Sequence, residues 1–462
     1  MLNDLYEFLN IKGFAYQVMK KPEDFNWMSP GENQDNWIRA VLLSEKVSDN
    51  KEMTSDKVFI AVVPANRMLD LNQLSRITDT DIELLKGETA DKLMPNVVSG
   101  IRLALPEFVK MDAIIDSSIF KMGALCFEAG DGKHYIEMES LDYIKIHQDF
   151  KCEDISYPIS DLYLPEITPQ KAQLNFSTMR IEGRISEIEN LPTMPGIGLK
   201  ILSLKSNRHA CATDLAEIVL QDPSLAAQVV SWAKSAYYGY RGEVDSVETA
   251  ISRVLGFDRV MNLALGIALG STMKVPHEGP LGLKNYWRQA LLTANLAEKL
   301  CMKMDIQSRP TQGLVYLSGL LHNIGHLLLG HSFQPQFFVV NRFIEANPHV
   351  AVSEIEKYVL GITHEQMGAK LLKQWNLPEE VIEATRWHHQ EEYASQYAAY
   401  SNLILLATHL LGNQFIGDSR PGPFPVAVLE LLGIQKHDVE TVWYSMVEHI
   451  AELDYMASQL AA

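Results

Sequence analysis

Four histidines in the second half of the chain, His322, His364, His388 and His389, each stand beside helical sequence. Neutral imidazoles on neighbouring helices bind a metal ion when they converge, and metal-bound water is the nucleophile of many hydrolases. The alternative for each is an ordinary hydrogen-bonded residue that ties helices together. Two metal motifs are excluded. His364-Glu365 starts an H-E-x-x-H pattern, but Gly368 occupies the position of the second ligand, one helical turn on. No acidic run carries the glycine and terminal glutamate of a calcium-binding helix–loop–helix. His326 and His331 flank Leu327-Leu328-Leu329 and read as helix-end residues outside the set. Trp232, Trp287, Trp375 and Trp387 read as core anchors. Tyr237-Tyr238-Gly239-Tyr240-Arg241 reads as a loop packed on its own helices.

The elements that must position these residues are helical. From about residue 176 strand signals stop. Asp222-Pro223 sets an N-cap before a proline at the first helical position. Asp245 with Glu248 resembles a capping box, and Gly256 closes that helix. Thr363 with Gln366 is a T-x-x-Q box, and Pro378-Glu379-Glu380 opens another helix with acids at its positive end. About ten helices are predicted, the last between roughly 425 and 460. Residues 1 to 150 mix signals instead. Leu2, Leu5, Tyr6 and Leu9 recur at helical spacing before Gly13. Lys57–Ala65, Ala113–Asp116, Ala124–Phe127 and His134–Met138 read as strands, with a Gly130-Asp131-Gly132 turn before the last. Pro158, Pro165 and Pro169 mark a linker. The expected organisation is an α+β domain over 1–150, a linker over 151–178, an all-α domain over 179–410 and its helical C-terminal extension over 411–462.

A net charge of −18 disfavours non-specific binding to nucleic acid or an anionic membrane. Cys126, Cys152, Cys211 and Cys301 form no C-x-x-C pair, so no zinc ribbon or disulfide framework is indicated. The N-terminus lacks the pattern of a signal peptide. The apolar run Val260–Met273 is too short for a bilayer and reads as a buried helix. A cytoplasmic location without membrane attachment is expected.

The second half resembles HDOD domains. The motifs are, in order, Leu191-Pro192-Thr193-Met194-Pro195, Gln221-Asp222-Pro223-Ser224-Leu225, Ser235-Ala236-Tyr237-Tyr238-Gly239, Ser246–Ile251 with Val254-Leu255-Gly256, Tyr286-Trp287-Arg288, Gly319–Gly325, Thr363-His364-Glu365 and Trp387-His388-His389. The resemblance covers roughly 180 to 410. It implies kinship with HD phosphohydrolases and HD-GYP cyclic-dinucleotide phosphodiesterases, which hold one or two metals with histidines and aspartates. The first histidine of that pattern falls near Gln289, the HD pair is His322-Asn323, and the late aspartate falls near Ala407-Thr408. The metal candidates His322, Asn323, His364, His388 and His389 are therefore expected to be vestigial. Uncharged Asn323 and Thr408 cannot offset a dication taken out of water. No cofactor is expected beyond an adventitious zinc or nickel ion.

The first half resembles the YbaK/ProX aminoacyl-tRNA deacylases. The resemblance rests on Val62-Val63-Pro64-Ala65-Asn66-Arg67, Asp70-Leu71, Ser99-Gly100-Ile101, Asp112–Asp116 and Phe127-Glu128-Ala129-Gly130. Arg39 stands where that family carries a lysine, a substitution that keeps charge and changes geometry. The leading expectation is a non-catalytic signal-transduction protein with protein partners. In it a helical interaction domain is joined to a module that binds a small ligand or a partner. The alternatives are a trans-editing deacylase at Arg39 and Gly100, the one reading that requires tRNA, and a metal-dependent phosphodiesterase. Oligomeric state is left open.

Overall fold

The computed structural model describes residues 2–22, 34–46, 57–95, 97–162, 192–205, 207 and 209–461. The remainder of the expected linker, 163–178, and Leu191 of the first motif lie outside them. The chain divides into two compact units. One comprises Met1–Glu166 and Arg342–Ile355, the other Ile167–Asn341 and Glu356–Ala462.

The first unit is α/β. Short continuous apolar runs build β2 (Ile38–Lys46), β3 (Val58–Pro64) and β6 (Asp112–Asp116), which form a five-stranded sheet with β5 (Asp81–Leu84) and β9 (Lys151–Glu153) in the order β5-β2-β3-β6-β9. The β2–β3 and β2–β5 pairs are antiparallel, while β3–β6 and β6–β9 are parallel. A second sheet, in the order β1-β8-β7, joins β1 (Tyr16–Lys20), β8 (His134–Glu139) and β7 (Ala124–Glu128). The expected turn connects the last two, and Asp131 accepts the amides of Lys133 and His134 within it. Helices α1 (Leu2–Lys12), α2 (Leu71–Thr78) and α3 (Ser140–Ile146) are among those that flank the sheets; Leu5, Leu9 and Tyr143 enter the core of the unit beside Ile60, Val62 and Phe127.

The linker boundary at 151 requires correction. Residues 151–153 are a sheet strand, and β10 (Ser156–Pro158) pairs with β4 (Arg67–Leu69). Three-residue strands are too short to show alternation, and Pro158 is tolerated at the end of a two-stranded pair. The buried carboxylate of Asp116 accepts the Ile155 amide at 3.0 Å and the Ser156 hydroxyl at 2.7 Å, fixing this return of the chain.

His147 follows α3 and makes unit 1 acid-sensitive. Its Nδ1–H donates to the Tyr143 carbonyl at 2.8 Å, while Nε2 is buried without a hydrogen-bond partner. Burial pushes the imidazole down to about 4. The unfolded chain, at about 6.5, therefore takes up the proton first, and stability is lost as pH falls from about 6.5 to about 4. A loss on the order of 3 kcal/mol over that window is expected. Urea titrations of wild type and His147→Leu check this: the pH slope should be shallower in the second than in the first.

The second unit is helical. α4 (Phe257–Gly270) is buried continuously from Val260 to Gly270, as its apolar run predicts. α5 (Leu283–Cys301) packs against α6 (Gln312–Leu321), α11 (Ala398–Gly412) and α12 (Ile450–Leu460). In the chain between α6 and α11 come α7 (Ile324–Ser332), α8 (Val352–Leu360, in this unit from Glu356 on), α9 (His364–Gln374) and α10 (Glu379–Trp387). More than ten helices are found among the described residues, because short loops join helices that the punctuation does not separate. Asp222 caps as predicted, accepting the amides of Ser224 and Leu225. The box expected at Asp245 is instead a Ser246 cap, with the Ser246 hydroxyl accepting the Thr249 amide. The stretch Gln312–Ser332 is long and apolar enough to cross a bilayer, and 94% of its most apolar window is buried, as in a core helix.

Candidate functional site

The histidines converge in the helical unit. His322 and Asn323 sit at the break between α6 and α7, His364 opens α9, and His388-His389 follow α10. Gly325 allows the contact between α7 and α9: a side chain there would collide with the His364 carbonyl. The rings of His322 and His388 lie 5.1 Å apart, those of His364 and His388 5.5 Å, and those of His388 and His389 4.2 Å. His322, His364 and His388 are fully buried and His389 partly so.

Two carboxylates complete the cluster, and both correct the expected charge deficiency. Asp418 lies in the loop after α11 and is 2% exposed. Its Oδ2 lies 3.0 Å from His389 Nε2, 3.2 Å from His364 Nε2 and 3.8 Å from His388 Nε2. Glu356, on α8, is fully buried. It accepts from His326 Nε2 at 3.0 Å, and from the backbone N–H and Nδ1–H of His364 at 2.8 and 2.7 Å. His326 therefore belongs to the cluster rather than to a bare helix end, with its ring 4.1 Å from that of His364. His331 is the helix-end residue, its Nδ1 accepting the Lys274 amide.

The substituted positions have new tasks. Asn323 Nδ2 donates to Gln289 Oε1 at 3.0 Å, and Gln289 Nε2 donates to Asp418 Oδ1. An amide relay thus stands where the resemblance implied a histidine and an aspartate, and it orients Asp418. Gly417, at φ +92°, passes so close to Gln289 that a side chain would overlap it. Thr408 faces its own helix, donating to the Leu405 carbonyl at 3.0 Å.

Electrostatics separates the histidines. Burial, aided by neighbouring imidazoles, holds His322 well below the usual range and His388 at about 4, so both are neutral at pH 7. Burial opposes charge on His364 as well, but Glu356 and Glu365 outweigh it and raise this group well above the usual range. The cluster thus pairs neutral His322 and His388 with a His364 whose proton is held by carboxylates.

In unit 1, Arg39 and Gly100 line one cavity of roughly 100 Å³, with Trp37, Ala65, Arg102 and Glu128. The Arg39 guanidinium is committed elsewhere. Its Nη1 donates to the Ala346 carbonyl at 2.8 Å and its Nη2 to Asn347 Oδ1 at 2.7 Å. Burial lowers Arg39 to about 9.

A helical unit with an HD-like pair at a helix break, and with the hydrolase carboxylate positions replaced, defines an HD-related domain. Residues 191–391 match the HDOD domain, a family associated with signal transduction. Residues 191–391 of the chain are thus an HDOD domain. A crystal structure of a protein from Marinobacter aquaeolei VT8, assigned to signal transduction, is similar over 100% of this chain and 99% of that one, at 30% identity and a TM-score of 0.81. An uncharacterized protein of Treponema pallidum (strain Nichols) is 24% identical over 231 residues, 50% of this chain and 44% of its own length. The cyclic-di-AMP phosphodiesterase PgpH of Listeria monocytogenes is 28% identical over 103 residues, 22% of this chain and 13% of that protein. The chain thus spans less than half the length of these curated relatives.

Sequence reading missed Asp418, Glu356 and His326. The resemblance places the late carboxylate on a helix near Thr408, whereas Asp418 lies ten residues on, in a loop. A lone Gly-Asp step before Ser419-Arg420-Pro421 was the one available signal.

Proposed function

We propose that this chain is a non-hydrolytic regulatory protein of signal transduction, in which the helical unit serves as a protein-interaction scaffold and unit 1 binds a small ligand or a partner. The carrying observation is burial of the histidine centre. His322, His364 and His388 are 0% exposed and Asp418 2%, which leaves His389, at 22%, as the member of the cluster that a phosphate of a cyclic dinucleotide could touch. The amide relay adds to this, since Gln289 and Asn323 orient a carboxylate instead of completing a binuclear set. The full-length likeness to the Marinobacter protein supports the signalling role.

For unit 1, we infer a ligand-binding fold rather than editing chemistry. An arginine that attracts an aminoacyl ester needs free donors, and both terminal nitrogens of Arg39 are occupied by protein acceptors. The cavity beside Gly100 remains the place for a small ligand.

The test is hydrolysis of cyclic di-AMP, cyclic di-GMP and a generic phosphodiester by the purified chain with manganese, iron or zinc. No turnover is expected. Turnover abolished by His322→Ala would overturn the scaffold reading.

A further inference from the structure

Helix Pro223–Ala233 of the helical unit carries no charged residue. Its inward face is ordinary, with Leu225, Val229, Trp232 and Ala233 buried in the unit. Its outward face is not. Ala226, Ala227, Val230 and Ser231 recur there at helical spacing and are half-buried or exposed. A surface helix of a folded unit has one apolar stripe toward the core and charged residues opposite it. This one is uncharged on both sides.

The outward face is the middle of a groove. On one side it borders a recess of roughly 580 Å³, lined also by Leu220, Asp245, Ser246 and Val247. On the other it borders one of roughly 460 Å³, lined also by Ala451, Glu452, Tyr455 and Met456 of α12. Ser231 and Lys234 belong to both recesses, so the two are one surface. Each recess keeps a large side chain in water: Leu220 is 59% exposed and Tyr455 62%. Trp232 lines the second recess at 1% exposure, and its indole N–H has no acceptor among the described residues. Single apolar residues on a surface need no explanation, whereas a contiguous apolar patch with a polar rim marks an interaction site.

The charges around the groove select the occupant. Residues 210–233 contain Asp214, Glu217 and Asp222, and residues 442–462 contain Glu448, Glu452 and Asp454; neither stretch has a lysine or arginine. Glu243, Asp245 and Glu248 lie along the segment that borders the first recess. Some of these acids cap helices, and Asp454 pairs with Arg288 at 2.7 Å. A carboxylate that caps a helix keeps its charge. Lys234, on the groove itself, is the exception. An apolar floor inside an acidic rim fits an amphipathic helix whose apolar side chains fill the recesses and whose basic flanks meet the carboxylates.

We infer that this groove docks an amphipathic helix of a partner protein, with lysine or arginine flanking its apolar face. The inference rests on the reading of the helical unit as a protein-interaction scaffold, and it gives the partner's chemistry and place. A second copy of this chain is the poorer occupant, because at a net charge of −18 acidic surfaces would face each other.

The probe is a fluorescein-labelled synthetic peptide of about 18 residues, five helical turns, with leucine on one face and lysine on the other. A comparison peptide has glutamate at each lysine position. Titrated with the full chain, the lysine peptide should show saturable anisotropy that weakens with salt, and the glutamate peptide should bind at least about 10-fold more weakly. Ala227→Arg sets bulk and a cation on the exposed floor, and Glu452→Lys reverses the rim. Each should weaken the lysine peptide about 10-fold or more. Glu278→Lys, at an exposed position outside both recesses, should leave it within about 2-fold, which separates the groove from net charge. Circular dichroism verifies that the variants are folded. Absence of binding, equal binding of the two peptides, or equal weakening by Glu278→Lys and Glu452→Lys would overturn the inference. A concentration-dependent dimer in sedimentation that Ala227→Arg abolishes would overturn it in favour of a second copy. Phosphodiester turnover decides the non-hydrolytic reading and leaves peptide binding untouched, so the two fail separately.

Discussion

Replacing Asn347 by alanine is expected to cost about 3–5 kcal/mol, the range for stranding a buried charge. Asn347 is fully buried within unit 1 and uses both ends of its amide. Its Oδ1 accepts from the Leu69 amide at 2.7 Å and from Arg39 Nη2 at 2.7 Å, and its Nδ2 donates to the carbonyls of Leu69 and Phe343 at 3.0 Å. The substitution leaves a backbone amide of β4 and a guanidinium on β2 without their acceptor. Arg39 is 7% exposed, and no carboxylate pairs with it among the described residues. Neutral oxygens alone stabilise the cation, so losing one has a large effect. The sign of a second substitution separates this account from simple cavity formation. Arg39→Met in the Asn347→Ala background removes the stranded charge and should recover roughly half of the loss, with the Leu69 amide still unpaired at about 1–3 kcal/mol. Urea unfolding, with amide hydrogen exchange of β2 and β4 as the local readout, measures both. A loss under about 1 kcal/mol in Asn347→Ala, below the range for an unsatisfied buried group, would refute the role given to this residue.

Asn347 also shows where sequence reading stops. Asp222, the Thr363-Gln366 box and the buried run of α4 act through neighbours in sequence, and each was legible because local chemistry decides it. The short apolar runs of β3 and β6 were legible for the same reason. The return of residues 342–355 to unit 1 has no such signature. The segment reads as the end of one amphipathic helix and the start of the next, and its task is set by Arg39 and Leu69 almost 280 or more residues away. The candidate site divides along the same line. His322, His364, His388 and His389 were found because a resemblance fixes their order in the chain. Asp418 was not, because it replaces a helical position with a loop position. Glu356 sits in Glu354-Ile355-Glu356-Lys357, where alternating charge looks like a solvated face. Both acids are recognised only once burial is known, since a carboxylate at 0–2% exposure must have partners.

Glu356→Ala is therefore expected to destabilise the helical unit by about 3–5 kcal/mol. The side chain is fully buried and accepts three N–H groups, from His326 Nε2 and from the backbone and Nδ1 of His364. Burial alone would push its carboxyl up. The charge of His364 and the hydrogen bonds from both imidazoles overcome this and hold the group at about 2. It is thus an anion at neutral pH, and alanine would leave two imidazoles and an α9 N-terminal amide without an acceptor. Glu365 softens the loss, since its Oε2 lies 3.6 Å from His364 Nδ1 and can move closer. Glu356→Gln is the informative companion. The amide keeps volume and one accepting oxygen, but its NH₂ end meets an imidazole N–H, so a cost between those of wild type and alanine is expected. Equal losses for the two variants would mean that charge is the whole effect, and a wild-type-like Glu356→Ala would mean that the imidazoles are held by packing alone. Denaturant titration orders the three proteins.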